Sequence, residues 1–192
     1  MTKKRSHTAL LLIDFINLFD FDDADKLGPA AIRAARFAAK LKARARAARV
    51  PCIYANDNFG RWKSDFADLT SACLRRAGPA RVIAQLLRPQ EGDLSVLKPR
   101  HSAFYGTPLE FLLNDLGAKR LVITGLTTDS CVMFTAHDAY VRGYRIWVPS
   151  DCVAAARPQF TRDSLGHMAR VLKASTVPSR TPMNAAFKSS GD

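Results

Sequence analysis

The 192-residue chain has only four cysteines, Cys52, Cys73, Cys131 and Cys152, and none falls in a CxxC pair. That excludes a zinc-ribbon spacing and a dense disulfide framework. Free thiols in a reducing compartment are expected instead. The chain also lacks any apolar run near the roughly 18 residues that a membrane span needs. Its basic opening, residues 1–8, leads into a short apolar run that stops at Asp14, a poor match to a secretory signal. The cytoplasm is therefore the expected location. Long polar tracts, internal repeats and linkers are absent too. With 47% hydrophobic residues, the composition predicts one folded domain over residues 1–192. Its core should span about residues 8–177, between a basic N-terminus and a polar, loosely held tail from Ser179. His101, His137 and His167 share no ligand spacing and read as structural or surface residues. No metal and no cofactor are expected.

Acidic residues are in the minority, and the net charge is +12. A nucleic-acid partner would explain such a charge. The basic residues are spread along the chain, however, and the densest run, 33–49, reads as the solvated face of a helix. An anionic small-molecule substrate, or simple solubility, accounts for the charge equally well.

What is present is an alternation of apolar runs and helical stripes. Continuous apolar strands, typical of a parallel sheet buried on both faces, are expected at 8–13, 50–55, 94–97, 121–124, 144–148 and 175–177. Helical periodicity predicts helices over 29–49, 67–76, 79–87, 108–116, 131–142 and 159–172, with Gly117 and Gly143 as stops. The segment 17–25 reads as a loop. Alternating strands and helices imply an α/β three-layer sandwich with a six-stranded, mainly parallel sheet flanked by helices.

The stretch LVITGLTTDSCVMFTAHDA, residues 121–139, runs from a strand through a glycine-containing turn into a helix that begins near Cys131. A thiol there sits by the positive end of the helix dipole, which favours thiolate, with Thr128 and Asp129 as N-cap candidates. The bland alternative is a buried structural cysteine. Ligands of parallel α/β sheets bind beyond the carboxyl ends of the strands. Asp14 ends the first strand, Lys98 ends the third and Cys131 follows the fourth, so a carboxylate, an amine and a thiol can converge at one edge.

Three blocks, LLLIDFINLF with Asp14, LKPRHSAF with Lys98, and TGLTTDSCVMFTAHDA with Cys131, resemble the isochorismatase-like cysteine hydrolases, which include nicotinamidases and related small-amide hydrolases. The resemblance covers about residues 8–177 and implies a Rossmann-like strand order. It implies that Cys131 is the nucleophile, Asp14 the general base and Lys98 an electrostatic support. It further implies an oxyanion hole from the backbone N–H groups of Thr127 and Cys131, and a cis peptide between Leu126 and Thr127. Two departures bear on the substrate. Ile16 stands where many relatives have Gln. Asp57-Asn58-Phe59 replaces the Asp-x-His pair that helps nicotinamidases bind metal, so that metal site is expected to be missing and Asp57 reads as a turn residue.

Phe19, Phe59, Trp62, Phe104 and Tyr105 fall in loops near the strand ends, where they either wall a substrate pocket or pack the loops onto the core. The helix after Cys131 is apolar on more than one face, which predicts a homo-oligomer. The leading reading is a cysteine hydrolase of a small amide or related C–N bond. The alternatives are an isochorismatase-type vinyl ether hydrolase and a non-catalytic binding protein on the same fold.

Overall fold

In the computed structural model, which describes residues 7–58 and 65–187, the run TALLLI forms strand β1, Thr8–Ile13, and all six residues are buried. Successive strand side chains leave to opposite faces. Leu10 and Leu12 therefore enter one core with Leu27, Ala31, Ala35 and Leu41, while Ala9, Leu11 and Ile13 enter another with Leu109, Leu113, Val132 and Ala136. Two cores separated by one sheet make a three-layer α/β sandwich.

After β1 come α1 (Ala24–Ala47), β2 (Cys52–Asp57), α2 (Phe66–Arg75), α3 (Pro79–Leu86) and β3 (Leu94–Lys98). The second half runs α4 (Leu109–Leu116), β4 (Arg120–Leu126), α5 (Met133–Val141), β5 (Arg145–Trp147), β6 (Val153–Ala154), α6 (Pro158–Val171) and α7 (Met183–Ala186). Strand order is β3-β2-β1-β4-β5, with β6 paired to β4, and all these pairings are parallel. The chain steps outward from β1 to β3, then returns to the other side of β1 as β4. That reversal puts the switch point between the carboxyl ends of β1 and β4, where ligands settle in such folds.

Four expectations need correction. Helix α1 starts at Ala24 rather than at Pro29, because burial of Leu27 and Gly28 holds an extra turn despite the proline. The 33–49 stripe is not simply solvated. Lys42 is buried and pairs with Asp93 at 2.6 Å, Arg46 joins the same carboxylate at 2.8 Å, and Arg44 donates to the Ser179 carbonyl. The sixth strand is Val153–Ala154, while Ser175 makes only an isolated bridge to Trp147. The polar tail packs as far as Phe187: Asp151 accepts from the Ser179 N–H at 2.8 Å, and the Phe187 ring meets Trp147 edge-on with 6.2 Å between centroids.

Gly125 shows how tightly β4 meets β1. It has φ +138°, and a Cβ built there would lie 2.1 Å from the Ile13 carbonyl oxygen. Neither backbone can withdraw without breaking the sheet pairing of Ile13 with Gly125. Gly125→Ala is expected to cost about 3 kcal/mol through backbone strain and overpacking. Urea denaturation checks this, and a loss under about 1 kcal/mol would contradict the close approach.

Candidate active site

Asp14 is the first residue beyond β1. Its backbone is left-handed, φ 48°, a conformation that aspartate tolerates better than most residues. The turn is pinned by the Asp14 N–H, which donates to the Ala55 carbonyl at 3.0 Å. It is pinned again where the Asn56 side-chain amide donates to the Ile16 carbonyl at 2.7 Å. Asn56 thus holds the loop at the point where Ile16 replaces the expected Gln.

Lys98 is the last residue of β3, in register with Asp57 at the end of β2. Its side chain is fully buried, and Nζ lies 2.7 Å from Asp14 Oδ2, 3.6 Å from Asp57 Oδ2 and 3.6 Å from Cys131 Sγ. The amine also donates to the Arg100 carbonyl at 3.2 Å. The Asp57 N–H donates to Asp14 Oδ1 at 2.7 Å, and Lys98 Nζ links that carboxylate to the Cys131 thiol. Three side chains from distant parts of the chain therefore meet at the switch point.

Cys131 lies in a single π turn, Thr128–Val132, that leads into α5. Such turns recur at functional positions in helices. The turn follows a cis peptide between Leu126 and Thr127, and Thr127 occupies the N-cap. The expected caps are corrected: the Thr128 hydroxyl lies 3.4 Å from that of Thr161 on α6, and Asp129 Oδ1 is buried with no hydrogen-bond partner among the described residues. The Ala103 N–H donates to Thr135 Oγ1 at 3.0 Å and fastens the segment after Lys98 to α5.

The electrostatics differ from a ready-made thiolate. Burial and the nearby Asp14 carboxylate push the Cys131 thiol up to about 12, against the pull of Lys98. A thiol raised in this way calls for a base to take its proton. Burial likewise lifts the Asp14 carboxyl above the usual aspartate range, although Lys98 and its hydrogen bonds oppose the shift. Burial alone would lower Lys98, but Asp14, Cys131 and Asp57 together raise it, so the amine stays charged.

Burial also pushes Cys52 and Cys73 up to about 11 and raises Cys152. A group with a raised native pKa contributes stability that is fully present below its unfolded value and lost as pH climbs through the native one. These thiols are therefore expected to make the urea midpoint fall between about pH 9 and 11. A midpoint that stays flat over that range would contradict burial of these thiols.

Sequence reasoning read Asp57 as a turn residue, because the second strand was ended two residues early; it closes β2 instead, 3.6 Å from Lys98 Nζ. Taken to Asp57, it would have shown another polar strand end beside Lys98. The expected pocket walls fare differently. Phe104 is buried in the core between Tyr144, 6.0 Å away, and the Arg142 guanidinium, 4.8 Å away, at the far end of α5. It is a core residue and not a wall at the thiol. Phe19 packs on the α1-side core, and Tyr105 is 63% exposed. Phe59 and Trp62 lie outside the described residues. Among the described residues there is no cluster of three or more His, Cys, Asp or Glu side chains placed to hold a metal, and no helix long and apolar enough to cross a membrane.

Comparison with known proteins gives this geometry a context. The chain is 36% identical over 168 residues to YaaI of Bacillus subtilis, an uncharacterized isochorismatase family protein, covering 88% of this chain and 92% of that one. It is 35% identical over 97 residues to the ureidoacrylate amidohydrolase RutB of Klebsiella pneumoniae, a match spanning 50% of this chain and 41% of that protein's length. Its structure superposes on the N-carbamoylsarcosine amidase of Thermoplasma acidophilum with a TM-score of 0.71 and 28% identity, covering 93% of this chain and 99% of that one. The isochorismatase domain profile matches residues 8–179. By that match and by the fold, the chain belongs to the isochorismatase family and is a hydrolase of that family.

Proposed function

We propose that this hydrolase cleaves a small amide or related C–N bond through a thioester on Cys131, in one catalytic domain over about residues 8–177. The observation that carries the reading is the position of Lys98 Nζ, 2.7 Å from the Asp14 carboxylate and 3.6 Å from Cys131 Sγ. Two relatives whose names specify amide or carbamoyl substrates support it.

In this reading Asp14 takes the thiol proton as the sulfur bonds to the substrate carbonyl carbon. A protonated thiol beside a carboxylate of raised pKa suits that transfer, because a better proton acceptor needs less driving force. The carbonyl oxygen becomes an oxyanion held by the N–H groups of Thr127 and Cys131, with the Lys98 charge close by. The intermediate collapses, the C–N bond breaks, and the leaving nitrogen takes the proton back from Asp14. Water then gives its proton to Asp14 and attacks the thioester, and the acid departs as the thiol re-forms.

Stoichiometric alkylation of Cys131 tests the reading. Loss of all activity at one equivalent is expected. Unchanged activity would favour vinyl ether hydrolysis, which needs no thiol nucleophile. The pH profile gives a second check. Only ionised Asp14 accepts the proton, so kcat/KM should fall as pH drops through its pKa, at a pH above the ordinary 3.8. An acid limb at or below that value would remove Asp14 from the role.

The four unpaired thiols fit work in the cytoplasm. Exposed Phe134 and Val141 on α5 support a homo-oligomer. Light scattering at micromolar concentration should give a mass above the 21.1 kDa of one chain, and a monomer mass would contradict this.

A further inference from the structure

His137 on α5 and His167 on α6 are 30 residues apart in the chain, yet their rings face each other. The two Nε2 atoms are 3.2 Å apart, with ring centroids at 5.2 Å and planes inclined by 33°. Two imidazole nitrogens each about 2.0–2.1 Å from a tetrahedral Zn²⁺ lie about 3.3 Å apart. The helices therefore already hold the two nitrogens at the spacing of a shared metal ion. Both residues are partly exposed, which leaves room for water at the other coordination positions.

We propose that His137 and His167 form a binding site for a divalent transition-metal ion of the Zn²⁺ type, which ties α5 to α6. The donor set is two imidazoles, which suits zinc, nickel or copper and not calcium or magnesium. The neighbouring carboxylates are otherwise engaged: Asp138 accepts from Arg142 at 2.7 Å, and Asp163 accepts from Gln159 at 2.6 Å. Without metal, one Nε2–H donates to the other Nε2. With metal, both rings carry their proton on Nδ1 and present a lone pair, so two neutral rings bind without net proton release. His137 lies six residues after Cys131, about 9 Å along the helix axis. The site is thus separate from the thiol but fastens the helix that carries it.

The test is a Zn²⁺ titration of the full chain in a Cys131→Ser background, which removes the partly exposed thiol as a competing ligand. Long-range ¹H–¹⁵N spectra should show the Nε2 signals of His137 and His167 shifting together and saturating at one equivalent, while those of His7 and His101 stay in place. His137→Gln and His167→Gln should each weaken binding by more than the roughly 10–100-fold typical of outer-shell changes. Zn²⁺ should also raise the melting temperature of the parent and not of either variant. Unmoved His137 and His167 signals, or an affinity in both Gln variants equal to that of the parent, would overturn the site even if a variant folds poorly, since the first readout needs no variant.

Discussion

Cys131→Ser is expected to reduce hydrolysis of a competent amide by about 10⁴-fold or more, since residues that act as a catalytic unit fail together when one is removed. The serine keeps the shape of the side chain. Its hydroxyl is a far weaker nucleophile than the sulfur. The fold should be unaffected, because Cys131 is only partly buried while the two cores are built from other residues. The informative pattern is a collapse in kcat with an unchanged circular dichroism spectrum and melting curve. Near-normal turnover in the folded variant would take Cys131 out of the chemistry.

Lys98→Met is expected to have the largest effect on stability. The Lys98 side chain is fully buried, and the Asp14 side chain is 7% exposed. Removing the amine leaves a buried carboxylate without its cation, which costs about 3–5 kcal/mol when a buried pair loses one partner. The variant's carboxyl should rise further, since its main opposing influence is gone. A raised native pKa favours the native state at low pH, so the loss should be smaller at acid pH than at alkaline pH. Adding Asp14→Asn removes the orphaned charge and should restore much of the lost stability. Urea denaturation of the single and double variants measures this. A Lys98→Met loss under about 1 kcal/mol, with no recovery in the double variant, would mean that the pair is solvated.

Legibility in the sequence followed the physical origin of each feature. Strand β1 was readable because burial on both faces leaves a continuous apolar run, and Gly117 because a helix stop with φ 70° favours glycine. The convergence of Asp14, Lys98 and Cys131 was readable because strand ends in a parallel sheet share an edge. Strand β6 was not, since two residues carry no period, and its pairing with β4 depends on where the chain returns. Lys42 looked solvent-facing because its partner, Asp93, is far along the chain. The same holds for His137 and His167, which only the packing of α5 on α6 brings together. Helix-dipole reasoning counts the turn that carries Cys131 and not the burial or the adjacent Asp14, both of which push the thiol in the opposite direction.

The central claim is that Cys131 bonds covalently to the acyl group of the substrate. Its most direct test is mass spectrometry of a single-turnover reaction quenched in acid, with a library of small amides and carbamoyl compounds. A transient mass gain equal to the acyl group, located on the peptide that contains Cys131 and absent in Cys131→Ser, is the predicted result. Product formation at full rate with no adduct on that peptide at any time would contradict it.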